Sequence, residues 1–249
     1  MKYINVFDKD TDYVSYRDGN GYIKPDVSLS RDTKVVHYNY PIWDTNGKPF
    51  VDLGLPSGTL WATMNVGAKS SGEAGLYFQW GDISGYTANQ VGTGDGKKKF
   101  DLANYKFSIN GSNTNFNKYT NAGVTLELED DAANKNMGGD WHIPTPEQFQ
   151  ELLVNTTASD GLNGISGVKL ASKTDTSKFI FFPAAGEAEM NAIGGSGNTG
   201  GFWCSKLDTN EVGSGEHFGF SFLTPDLNFG ISIMGANRSF GLSVRGVLG

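Results

Sequence analysis

Cysteine is nearly absent: Cys204 stands alone in 249 residues, so the chain can close no internal disulfide and build no multi-cysteine zinc site. Packing alone must hold the fold. Basic clusters are equally scarce. The formal charge is −7, and the compact basic run Lys97-Lys98-Lys99 is flanked by Asp95 and Asp101, which reads as a solvated loop. Without a Lys/Arg footprint, a nucleic-acid partner is not expected. Long apolar runs are missing too. No stretch approaches the roughly 18 residues a membrane span requires, and the opening Met1 to Asp8 segment carries no apolar signal region. The expectation is a soluble chain, which would reach an extracellular setting through a trimmed signal or by lysis, as a virus particle does.

Aromatics make up 12% and hydrophobics 38% of the chain against 19% charged residues, a globular rather than disordered balance. Glycine is the outlier. Its 34 positions are about twice the usual share and follow no collagen period, implying many turns and short strands. The opening 40 or so residues read as a small β unit from the runs Tyr3 to Phe7, Tyr22 to Leu29 and Lys34 to Tyr38, each bounded by Asp, Asn, Gly or Pro. Turn chemistry from Pro41 to Pro49 marks a junction. The expected domains are therefore 1–45, a small unit for attachment or packing, and 46–249, the main domain.

Within the main domain, Val51 to Ala62 alternates around a Pro56-Ser57-Gly58 turn and predicts a hairpin. Residues 82–120, rich in Gly, Asn, Lys and Thr, predict a long surface excursion rather than core. A short Asp-capped helix is expected around Leu128 to Asn134, ending near Gly138-Gly139. The clearest helix opens at Thr145-Pro146-Glu147-Gln148: a capping threonine, a proline at the first helical position and a glutamine three residues on, followed by the apolar stripe Phe149, Leu152 and Leu153. Phe179 to Pro183 predicts a buried strand, and Gly194 to Gly201 a glycine-rich loop. Near the end, His217 to Phe222 and Phe229 to Ile233 alternate strictly. Period two places Phe218, Phe220, Phe222, Phe229, Ile231 and Ile233 on a core face and leaves His217, Gly219, Ser221, Gly230 and Ser232 outward. Gly241 to Arg245 predicts a closing strand.

Several ordered motifs carry a resemblance. Val51-Asp52-Leu53-Gly54-Leu55-Pro56-Ser57-Gly58-Thr59-Leu60-Trp61-Ala62, Asn65-Val66-Gly67-Ala68, Tyr77-Phe78-Gln79-Trp80-Gly81, Gly138-Gly139-Asp140-Trp141-His142-Ile143-Pro144-Thr145 and Asn237-Arg238-Ser239-Phe240-Gly241-Leu242-Ser243-Val244-Arg245 together resemble the Fibrobacter succinogenes major paralogous domain over residues 50–248. The resemblance implies an α+β fold, C-type-lectin-like and similar to formylglycine-generating enzymes, preceded here by the small β unit. It also implies kinship with variable proteins of diversity-generating retroelements, found in Bacteroidetes and their phages. Adenine-directed mutagenesis rewrites codons near the C-terminus of such proteins. Carried onto this chain, the varying ligand-binding positions are Asp208, Asn210, His217, Gly219, Ser221, Asn228, Gly230, Ser232, Ala236 and Phe240. Ordinary solvent-facing strand residues would look the same, so a fixed adhesive or structural surface stays open beside the display reading.

Catalytic readings find less support. The formylglycine-generating relatives work with paired cysteines, and a lone Cys204 in Gly201-Phe202-Trp203-Cys204-Ser205 reads as a small core residue. His37, His142 and His217 lie in three separate segments and assemble no Ser-His-Asp order. The acidic group Glu127, Glu129, Asp130 and Asp131 has the chemistry of a calcium site but not the spacing of an EF-hand loop. Gly194 to Gly201 lacks the Lys-Ser/Thr ending of a phosphate loop. The expectation is a non-enzymatic binding protein with no catalytic residue, cofactor or metal. Its partner would be a protein or glycan on a cell surface, and its setting a phage tail or an extracellular surface. A homo-oligomer is among the readings the residues leave open.

Overall fold

Short runs of β-branched and aromatic residues separated by glycine turns set most of the architecture. The computed structural model describes residues 16–17, 23–24, 42–44, 46–222 and 230–249. In chain order the strands begin with β1 (Tyr16–Arg17) and β2 (Ile23–Lys24), which pair with each other, then β3 (Ile42–Trp43), β4 (Pro49–Val51) and β5 (Leu60–Ala62). Helix α1 (Ala132–Met137) and helix α2 (Pro146–Asn155) follow. Then come the meander β6 (Thr156–Leu162), β7 (Ile165–Ser172) and β8 (Phe179–Pro183), and the hairpin β9 (Glu187–Glu189) and β10 (Ala192–Gly194). Last are β11 (Thr199–Leu207), β12 (Ser214–Ser221), β13 (Ser232–Asn237) and β14 (Val247–Leu248). The described chain is mostly β with few helices, in keeping with the expected general class. The expected strands at Tyr3 to Phe7 and Lys34 to Tyr38 lie outside the described residues, as does the expected run Tyr22 to Leu29 apart from Ile23 and Lys24, which form β2.

The Val51 to Ala62 hairpin is present: β4 and β5 pair antiparallel, and the last strand β14 closes against β5 in a sheet of order β14-β5-β4-β3. The junction is fastened into this sheet. Asp44 accepts backbone hydrogen bonds from Asn46 and Lys48 through one carboxylate oxygen and the Trp141 indole N–H, at 2.6 Å, through the other. The sheet therefore begins at Ile42, four residues ahead of the expected start of the main domain.

Helix α2 forms as its sequence predicts. Thr145 Oγ1 accepts from the Gln148 amide, Gln148 Oε1 accepts from the Thr145 amide, and Pro146 occupies the first turn. These bonds satisfy amides that a helix start would otherwise leave bare. Its apolar stripe packs on the β11–β13 sheet, with the Phe149 ring stacked on Phe218 at 4.8 Å. Each such buried aromatic contributes about 1.5–3 kcal/mol. Asp131 caps α1 and Gly138, at φ 79°, ends it, again as expected.

Residues 82–120 correct the sequence reading. The segment is irregular, but Phe100, Tyr105, Phe107, Phe116 and Tyr119 are all buried. Tyr105, Phe107 and Tyr119 meet edge to face, with centroids 5.3–5.6 Å apart along the chain of contacts. At the centre of this group sits Arg238. Its guanidinium lies 4.1 Å from the Phe116 ring and 5.0 Å from Trp80, and donates to the Tyr105 hydroxyl and to the carbonyls of Tyr119, Val212 and Lys118. An arginine with many donors, set among π faces, gives a strand-poor segment an ordered place in the core.

Candidate functional site

The sheet β11-β12-β13 holds five of the ten residues expected to bind ligand, His217, Gly219, Ser221, Ser232 and Ala236. Its register sets Phe202 opposite Phe218 and Phe218 opposite Ile233; one residue along, Trp203 faces His217 and His217 faces Met234. The Phe202, Phe218 and Phe220 side joins the core beneath α2, and Ile231, Ile233 and Phe222 pack partly against it. That half of the alternation agrees with the sequence reading. Phe229 and Asn228 lie outside the described residues.

The other face corrects it. His217 is 3% exposed and Gly219 is buried, so neither is a solvent-facing display position. β12 is the central strand, and its second face is covered as well. Trp203 lies edge-on to His217 at 6.2 Å, and Gly215 packs so closely on Trp80 and Trp203 that a Cβ there would stand 2.7 Å from the Trp80 ring. The imidazole folds over Gly219: a Cβ at 219 would stand 2.9 Å from His217 Nε2, so this glycine provides room for the ring rather than a variable surface. Burial pushes the His217 pKa down to about 4, and its Nδ1 has no hydrogen-bond partner.

The remaining expected positions split into separate groups. Ser221, Gly230 and Ser232 lie at one end of β12 and β13, partly or fully exposed. Asp208 and Asn210 lie at the opposite end, in the turn after β11, where the Asp208 carboxylate accepts from the amides of Asn210 and Glu211. Ala236 is half-buried on β13, and Phe240 packs partly into the core in the turn that follows. Glu187 and Met234, which border the same sheet face, were not among the expected residues. Continuing the alternation past Ser232 already points Met234 outward.

The catalytic and metal candidates have structural occupations. Cys204 is buried, and desolvation pushes its thiol well above the ordinary range. Among the described residues, no hydrogen bond joins His217 to a hydroxyl, thiol or carboxylate. Glu127, Glu129 and Asp130 converge, but on Lys118 Nζ at 2.6–2.7 Å; Asp130 also holds Lys106 Nζ and the Tyr119 hydroxyl at 2.7 Å each. Asp131 stands apart, capping α1 and accepting from the Ile143 amide. A cation would have to displace the Lys118 ammonium, which these three carboxylates hold well above its ordinary pKa. His142 pairs through its backbone with Val247 and sets its Nδ1 3.1 Å from the Asp140 carbonyl. Lys97, Lys98 and Lys99 are each engaged locally, by the Asn89 carbonyl, the Asn104 carbonyl and Asp101. A separate concavity of about 180 Å³ lies between β4, the 64–68 turn and α1, lined by Lys48, Met64, Asn65, Asn136 and Met137 among others.

Compared with family models, curated proteins and solved structures, the chain finds no match. No helix among the described residues is long and apolar enough to cross a membrane.

Proposed function

We propose that this chain is a non-enzymatic binding protein, a C-type-lectin-like domain that presents a substitution-tolerant recognition surface on its C-terminal strands. The observation that carries the reading is the contrast within one sheet. No residue of β13 is fully buried, whereas most of β11 and β12 are. Side chains on an exposed edge strand can change with little effect on stability, while the aromatic layer beneath keeps the backbone fixed. Ser221, Gly230, Ser232, Ala236, Phe240 and the Asp208–Asn210 turn belong to this surface, with Met234 added; His217 and Gly219 belong to its support. Its ligand is a protein or glycan on a cell surface, and its setting a phage tail or an extracellular surface, as the motif resemblance implies.

Sequencing the DNA around the gene tests the reading. A second copy of the Trp203–Arg245 coding segment beside a reverse-transcriptase frame is expected, with mismatches confined to adenines of the template. Finding neither would overturn diversification and leave a fixed adhesive surface.

A further inference from the structure

Where β4 and β5 meet the last residues of α1, the surface is concave rather than filled. The space measures about 180 Å³, well above the roughly 10–15 Å³ that a single water needs, which leaves room for a small organic molecule. Pro49, Ala62, Met64, Val66 and Met137 give it an apolar wall. The two thioethers in that wall can change rotamer to suit more than one apolar shape. Among the described residues of the lining, Lys48 alone is charged.

The charge around this space is one-sided. The Lys48 ammonium pairs with no carboxylate among the described residues; its bond is to the Asn136 carbonyl, at a long 3.5 Å. Asp44, which accepts from the Lys48 amide, has both oxygens taken up by backbone amides and the Trp141 indole. A second cation lies behind the wall. Arg245 donates to the Ala62 carbonyl at 3.0 Å and to Asn65 Oδ1 at 2.9 and 2.7 Å, and both of those residues line the concavity. Burial pushes the Arg245 pKa down to about 9, so the guanidinium is still protonated at neutral pH, and among the described residues no carboxylate pairs with it. A buried cation without a counter-ion, separated from an open space by the residues it bonds, favours an anion there, because the interior screens its field weakly.

We infer that this concavity binds a small organic monocarboxylate, with the Lys48 ammonium as counter-ion and the aliphatic or aromatic body of the ligand laid against Met64, Val66 and Met137. Both halves of such a ligand are needed. A neutral amide of the same shape keeps the apolar contact but loses the charge-assisted hydrogen bond, which is roughly twice as strong as a neutral one. The site belongs to the β14-β5-β4-β3 sheet and stands independently of the display surface on β11–β13.

The test is an NMR titration of the full chain labelled with ¹³C in its methionine methyls, which puts probes at Met64 and Met137 in the wall and at Met190 and Met234 outside it. The ligand is 4-methylvalerate and its uncharged isostere 4-methylvaleramide. Saturable shifts are expected at the Met64 and Met137 methyls with the acid, an affinity at least tenfold weaker for the amide, and no shift at Met190 or Met234 with either. Lys48→Met should weaken binding of the acid at least tenfold and bring it level with the amide. Lys48→Arg should retain it, and Lys135→Met, on α1 but outside the lining, should leave it unchanged. Met190 and Met234 methyls at their parental positions show that each variant is folded. Absence of saturable shifts at Met64 and Met137, equal affinity for acid and amide, or unchanged affinity in a folded Lys48→Met would each overturn the inference.

Discussion

Replacing Arg245 with methionine should be among the most damaging single changes in the chain, although among the described residues no carboxylate pairs with this arginine. The guanidinium is wholly buried. It donates to Asn65 Oδ1 twice, at 2.9 and 2.7 Å, to the Ala62 carbonyl at 3.0 Å and to the Phe181 carbonyl at 2.8 Å, and it lies 4.7 Å over the Phe182 ring. One side chain thereby ties β5, the Asn65 turn and β8 to the C-terminal segment. Methionine fills much of the volume but leaves three buried acceptors short of a donor. At ~1–3 kcal/mol per orphaned acceptor, part of the loss is offset because a cation whose pKa burial has pushed down to about 9 no longer has to be desolvated. With three such acceptors and that offset, a net loss of about 3–5 kcal/mol follows. At roughly 2–4 °C per kcal/mol for a chain of this size, the midpoint should fall by about 6–20 °C in calorimetry. Arg245→Lys should fall in between, since one ammonium cannot span Asn65 and Phe181 together. A methionine variant that melts within about 2 °C of the parent, with an unchanged urea m-value, would refute the reasoning.

Three further outcomes follow from the same structure. His217 is held neutral, with a folded pKa about 4 against 6.5 unfolded, so as pH falls from 6.5 toward 4 only the unfolded chain takes up this proton. That costs roughly 3 kcal/mol of stability by pH 4, and urea titrations across this range should show His217→Gln losing less than the parent; parallel slopes would count against it. Phe218→Ala should cost about 3–5 kcal/mol while Met234→Ser stays within about 0.5 kcal/mol, and comparable midpoint shifts for the two would sink the division between support and surface. Thr145→Ala removes the α2 cap and should cost about 1 kcal/mol, read as a lower urea midpoint at constant m-value; an unchanged midpoint would show that packing of Phe149 on Phe218 suffices without it.

Local signals were legible wherever the physics is local. The capping box at Thr145 and Gln148, the Asp131 cap, the Gly138 stop and the Phe179–Pro183 strand depend on residues within a few positions of one another, and all stand where the sequence places them. The 82–120 segment was misread because its five buried aromatics follow no period. What organises them is Arg238, 119 positions from Tyr119 and 133 from Tyr105. No window along the chain contains both partners.

The misplacement of His217 and Gly219 has a different cause. Alternation assigns a residue to a side of a strand, and it did so correctly: Phe218 and Phe220 face α2, and His217 and Gly219 face away. Whether that second side meets water depends on what lies across the sheet. For β13, at the edge of the described sheet, the outward side is solvent. For β12, between two strands, it is covered by Trp203 and Trp80, and the imidazole is buried against its own glycine. A glycine two residues from a large side chain on the same strand face therefore admits two readings, a bare display position or space for the neighbouring ring. Only the opposing layer decides between them. The Cβ test at Gly219, with His217 Nε2 at 2.9 Å, selects the second, and the same test at Gly201, with Leu242 Cδ2 at 3.0 Å, shows that glycine too making room for a packed neighbour.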